Sequence, residues 1–271
     1  MRGLTEVLEA ARAEGRAALV GYLPAGYPSV AGAVDAMVAM VRGGVDVVEV
    51  GLPYSDPLMD GPTIQRAVEI ALEGGTTTDD VLATVRDVAS SGAPTLVMSY
   101  WNPLERYGVR RFAEALAGAG GAGVITPDLT PDEAGTAPSD WLGATDATAL
   151  DRVFLVAPSS TEERLRFTAE HCRGFVYAAS TMGVTGTRSA VGGAAETLVR
   201  RVRAVTDKPV CVGLGVSDGN QAAQVASFAD GVIVGSAFVR ALLDAGSPEA
   251  GVRAVEQLAG ELADGVRSGR S

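Results

Sequence analysis

Lysine and histidine are almost missing from this sequence. Lys208 and His171 are the only ones in 271 residues. Each lies just upstream of an apolar run, which places it at the start of a predicted strand. No strand-borne lysine is then available for a Schiff base, which argues against a lysine-dependent aldolase or a pyridoxal enzyme in this chain alone. No His, Asp and Glu cluster has the spacing of a divalent metal site. Cysteine is nearly absent too. Cys172 and Cys211 give no disulfide framework, and a reducing cytoplasm is the expected setting. The charged, helically patterned start MRGLTEVLEAARAEGR lacks the apolar core of a signal peptide. No apolar stretch is long enough to span a bilayer.

Net charge is −11, with the excess acid spread along the chain. Such a surface repels nucleic acid and anionic membrane, so neither is expected as a partner. Solubility alone accounts for the charge. An anionic substrate has to be held by local backbone amides against that field.

What the sequence does have is short apolar runs. ALVGYL (17–22), VDVVEV (45–50), PTLVMS (94–99) and AGVITP (122–127) are followed by RVFLVA (152–157), GFVYAA (174–179), PVCVGL (209–214) and DGVIVG (230–235). Most are Val-rich and too short for helices, as in a parallel sheet buried on both faces. Amphipathic segments such as VAGAVDAMVAMVRGG and TLVRRVRAVTDK lie between them. The alternation predicts an α/β protein, a single (β/α)8 TIM barrel over residues 1–271. It has an added N-terminal helix and extended loops after the second and sixth strands. An open doubly wound sheet with a second domain is the competitor, but no linker divides the chain. Between the second and third strands the pattern predicts helices over about 63–72 and ending near Ser91.

Active sites of such barrels sit at the C-terminal ends of the strands. Glu49 ends the second predicted strand. Alternation puts it on one face with Val45 and Val47. In an apolar cup its pKa would rise toward the range useful for proton transfer. Position alone leaves open a structural Glu paired with an arginine. GLG (213–215) and GSAF (235–238) follow the last two strands, where glycine amides and a helix N-terminus often bind phosphate. One such loop could be a plain turn; two in succession favour a phosphate site. STMGVTGTRSAVGG (180–193), long and rich in Gly, Ser and Thr, reads as a lid or as a disordered connector.

These stretches resemble the tryptophan synthase alpha subunit family over most of the chain. The most specific is EVGLPYSDPLMDGPTIQ (49–65), supported by YLPAGYP (22–28), GVTGTR (183–188) and the two glycine loops. The resemblance implies retro-aldol cleavage of indole-3-glycerol phosphate to indole and glyceraldehyde 3-phosphate. It makes Glu49 the general acid/base and Asp60 the carboxylate that accepts the indole N–H. It places Tyr22, Met98, Ile125, Leu155, Tyr177 and Leu214 around the substrate, and Thr185 on the lid. Gly186, Gly215, Gly235 and Ser236 would bind phosphate. Pro53, Asp56, Asn102 and Asp128 would face a beta subunit in an alpha2-beta2 complex. That partner would carry pyridoxal phosphate, and this chain no cofactor or metal.

Two departures from the family pattern stand out. Tyr27 replaces a common Asp. PDEAGTAPSDWLGATDATALD (131–151) carries Gly and Pro where a regular helix is usual, so a short or irregular helix is expected. Two other readings are a stand-alone lyase and a non-catalytic activator of a beta subunit. Retention of both Glu49 and Asp60 argues against the second.

Overall fold

The computed structural model describes residues 3–136, 140–180 and 188–269. Its strands are β1 (Ala18–Pro24), β2 (Val47–Gly51), β3 (Thr95–Met98), β4 (Gly123–Ile125), β5 (Asp151–Val153), β6 (Leu155–Val156), β7 (Val176–Ala179), β8 (Val210–Gly213) and β9 (Gly231–Val234). All pair in parallel, in the order β5-β4-β3-β2-β1-β9-β8-β7-β6. The two ends of this order, β5 and β6, are consecutive in the chain and separated only by Phe154. They are the two halves of one stave, the predicted run 152–157. β5 bonds back to β4 and β6 bonds on to β7, so the sheet curls into an eight-stave barrel.

Strand alternation divides the apolar residues between two cores. Val20, Val47, Leu96, Ile125, Val153 and Phe175 point into the barrel. Leu19, Val48, Val97, Val124, Phe154 and Val176 point outward against the helices. Val45 joins the outer set, not the inner one expected for it, because regular alternation begins only where β2 starts at Val47. The N-terminal helix Leu4–Ala13 packs Leu4, Val7, Leu8 and Ala11 onto the inner cluster. It plugs the end of the barrel where the strands begin, and each fully buried leucine contributes about 1.5–3 kcal/mol.

Local sequence sets the helix ends. Ser29 accepts from the Gly32 amide at the start of Val30–Gly43, and Gly44 closes that helix with φ 110°. The long segment after β2 holds two helices, Pro62–Glu73 and Thr78–Ala89. Pro62 suits the first turn of one, and Thr77 with Asp80 forms a capping box for the other. Among its described residues, the irregular region contains the short helices Pro131–Ala134 and Trp141–Thr148. Gly135 follows the first and Asp140 caps the second.

Two readings change, and one holds. His171 does not start a strand; it is the last residue of the helix Glu162–His171, where Nδ1 hydrogen-bonds the Phe167 carbonyl at 2.8 Å. Lys208 does precede β8. Its ammonium donates to the carbonyls of Ala169, Glu170 and Cys172, closing the end of that same helix. The two scarce residues therefore share one structural joint. In the glycine-rich stretch, residues 188–193 belong to the helix Arg188–Arg203, so the connection after β7 is shorter than 180–193. Residues 181–187 lie outside the described part of the chain.

Candidate active site

Glu49 occupies the middle of β2, in a strand whose five residues are all buried. Its own exposure is 0%, and among the described residues neither carboxylate oxygen has a hydrogen-bond partner. Among the described residues, no arginine makes the pairing left open by the sequence. An unpaired buried carboxylate is costly when ionised, and burial pushes its pKa up to about 8. Near neutral pH the group holds a proton that it can give up and recover.

Tyr22 is the register partner of Glu49 on β1. Its phenol is buried, and its pKa is raised first by burial and then by the charges of Asp60 and Glu49. Tyr177, on β7, is shifted the same way by burial and by Glu49. Two glycines make room for these rings. A side chain at Gly51 would collide with the Tyr22 hydroxyl end, and one at Gly213 with that of Tyr177. Met98 ends β3 and Ile125 ends β4, and Leu155 is on β6. Ile125 belongs to the inner cluster, and Met98, Leu155 and Tyr177 pack against it. Leu214, just beyond β8, is buried with the outer cluster instead.

Asp60 lies in the loop between β2 and the helix Pro62–Glu73, partly buried. Burial raises its pKa, and the Tyr100 side chain offsets part of that rise. Two residues not singled out from the sequence touch this loop. The Met59 amide donates to Tyr100 Oη at 2.9 Å, and Gln65 Nε2 donates to the Asp60 carbonyl at 2.8 Å. Tyr100 follows the C-terminal end of β3, a position that the barrel rule could have flagged. Gln65 lies inside the quoted stretch but carries no charge to draw notice.

The two glycine loops share the same mouth. Gly215 has φ 71° after β8. Gly235 caps the eight-residue helix Ser236–Leu243 without a side-chain hydrogen bond, which leaves first-turn amides unclaimed by any capping side chain. A Cβ on Gly235 would lie 3.0 Å from Tyr22 Cδ1, so this loop also lies against the register partner of Glu49. Thr185 and Gly186 fall outside the described residues. Of the remaining residues, Pro53 is buried and Asp56 is exposed, accepting from Ser55 Oγ at 2.6 Å. Asn102 is exposed, and Asp128 accepts from the Trp101 amide at 2.9 Å.

A parallel barrel with a proton-holding carboxyl and glycine loops at the C-terminal ends of its strands is a TIM-barrel enzyme. The family model described as tryptophan synthase alpha chain matches residues 8–267. The tryptophan synthase alpha chain of Thermobifida fusca is 59% identical over 271 residues, with 99% of each chain covered. That of Salinispora arenicola is 61% identical over 258 residues, covering 95% of each. A solved tryptophan synthase structure from Mycobacterium tuberculosis superposes with TM-score 0.89 at 58% identity, covering 97% of this chain and 98% of that one. The alpha subunit of Legionella pneumophila gives 0.87 at 32% identity, with 98% of each covered.

The chain belongs to the tryptophan synthase alpha chain family. It is a carbon–carbon lyase of tryptophan biosynthesis, cleaving indole-3-glycerol phosphate to indole and glyceraldehyde 3-phosphate.

Proposed function

We propose that Glu49 carries the proton chemistry of this cleavage and that Asp60 carries its electrostatics. The observation behind the first role is the fully buried carboxyl with neither oxygen bonded and a pKa pushed up to about 8. Protonated Glu49 donates to indole C3, forming the indolenine cation. The resulting carboxylate then takes the proton from the side-chain hydroxyl. The C–C bond breaks, its electrons restore the indole ring, and the aldehyde forms. Glu49 ends protonated, ready for the next turnover. Asp60 stays ionised, accepts the indole N–H and offsets the cation. The protonated ring is itself the electron sink, so the scheme draws on no cofactor in this chain.

Tyr22, Met98, Ile125, Leu155, Tyr177 and Leu214 surround the indole in this reading. Gly186, Gly215, Gly235 and Ser236 hold the phosphate, and Thr185 closes over Asp60. Residues 1–271 act as one domain, and cysteine usage fits the cytoplasm. A beta subunit carrying pyridoxal phosphate would receive the indole within an alpha2-beta2 complex, docking on the loops after β2, β3 and β4 where Pro53, Asp56, Asn102 and Asp128 lie. Leu58 and Met59 support that face: 83% and 55% exposed, they are the large apolar residues left open to solvent among those described.

The test of the Glu49 role is Glu49→Gln. It should fold normally yet lose indole release by about 10²–10⁴-fold. Near-normal turnover would make Glu49 structural.

A further inference from the structure

The loop that carries Asp60 is not fixed by hydrophobic packing at its tip. Leu58 and Met59 point largely into solvent. It is fixed instead by two hydrogen bonds that bracket Asp60. The Met59 amide is held by Tyr100 Oη at 2.9 Å, and the Asp60 carbonyl by Gln65 Nε2 at 2.8 Å. The anchors sit on different parts of the frame. Tyr100 is buried just after β3, its ring 5.5 Å from that of Tyr54. Gln65 is in the first turns of the helix Pro62–Glu73, its own amide bonded to the Gly61 carbonyl.

We propose that Tyr100 and Gln65 are positioning residues, a two-point clamp on the backbone that aims the Asp60 carboxylate at the indole N–H. The inference rests on the reading of Asp60 given above. Between the two held groups only the torsions of Met59 and Asp60 remain free, so motion of the loop tip moves the carboxylate little. With either tie gone, the segment is held at one end only. Displacement of a reacting group by about 1 Å costs on the order of 10²-fold. The Tyr100 hydroxyl does a second thing: it favours the ionised Asp60 carboxylate against the effect of burial. Neither side chain is assigned a contact with the reacting atoms.

The test uses Tyr100→Phe, which keeps the ring, and Gln65→Glu, which keeps the shape but replaces the donor by an acceptor. Each is made alone and combined with Asp60→Asn. Indole release is measured in the complex with saturating beta subunit, alongside thermal unfolding. Each single variant should lower kcat by roughly 10- to 100-fold. KM should stay within about twofold, since the phosphate is held elsewhere, and the unfolding midpoint should barely move. In the Asp60→Asn background both changes should cost nothing further, because they act only through Asp60. Unchanged kcat in both single variants overturns the clamp, and so does full additivity with Asp60→Asn. Normal turnover of Asp60→Asn alone would remove the assigned role of Asp60 itself, and the clamp with it.

Discussion

Tyr22 and Glu49 stand side by side in the register of β1 and β2, both buried at the mouth of the barrel. The charge of Glu49 makes ionisation of Tyr22 harder, burial makes that of Glu49 harder, and among the described residues no cation bonds to Glu49. The folded chain therefore holds a proton on Glu49 that the unfolded chain releases at about pH 4.5. A raised folded-state pKa gives a contribution fully present below the unfolded value and lost as pH rises through about 8. Wild-type stability should decline across this window by a component missing from Glu49→Gln, up to roughly 5 kcal/mol. Urea unfolding of both proteins at about pH 5 and about pH 8.5 measures it. Parallel pH dependence would mean that Glu49 titrates like a solvated carboxylate.

Asp60→Asn should remove most of the turnover, a loss of roughly 3–4 kcal/mol of transition-state stabilisation. A substrate analogue should still bind through its phosphate. Loss of analogue binding with unchanged saturating turnover would contradict the role assigned to Asp60.

Gly235→Asp should act mainly on substrate affinity. It places a carboxylate beside the amides at the start of the helix Ser236–Leu243, and a Cβ within 3.0 Å of Tyr22 Cδ1. Gly235→Ala makes the same contact without the charge, so its KM should rise much less. A kcat loss larger than the KM rise in Gly235→Asp would move the phosphate away from β9.

A beta subunit should accelerate indole release strongly. The loop bearing Asp60 has an exposed apolar tip, and a partner covering Leu58 and Met59 would favour the loop conformation that aims the carboxylate. Closure also keeps water from Glu49. Indole production with and without saturating beta subunit, at equal substrate excess, decides it. Equal rates would favour the stand-alone lyase. Suppression of the rise by Thr185→Val, with the complex intact, would place the coupling in the lid.

Much of this molecule was written in local pattern. Short, near-continuous apolar runs, separated by helical segments with Ser29, Pro62, Thr77 and Gly44 at their ends, determine the staves and helices of the barrel because each signal acts within a few residues. Alternation put Glu49 on the face of Val47 and the glycine loops at the close of the last two strands, but Glu49 falls in the middle of β2 and not at its end. What sequence alone could not decide was partnership across the fold. Whether Glu49 met an arginine depended on seven other staves, and the tertiary structure surrounds it with Tyr22, Tyr177 and apolar walls. The break of one stave at Phe154 follows from the curvature that closes the sheet, with β5 bonded to one neighbour and β6 to the other. Lys208 found its carbonyls 36 to 39 residues away. Tyr100 reached the Met59 amide across 41 residues. Such pairs carry no periodic signal, because closure of the barrel, not the chain near each residue, brings them together.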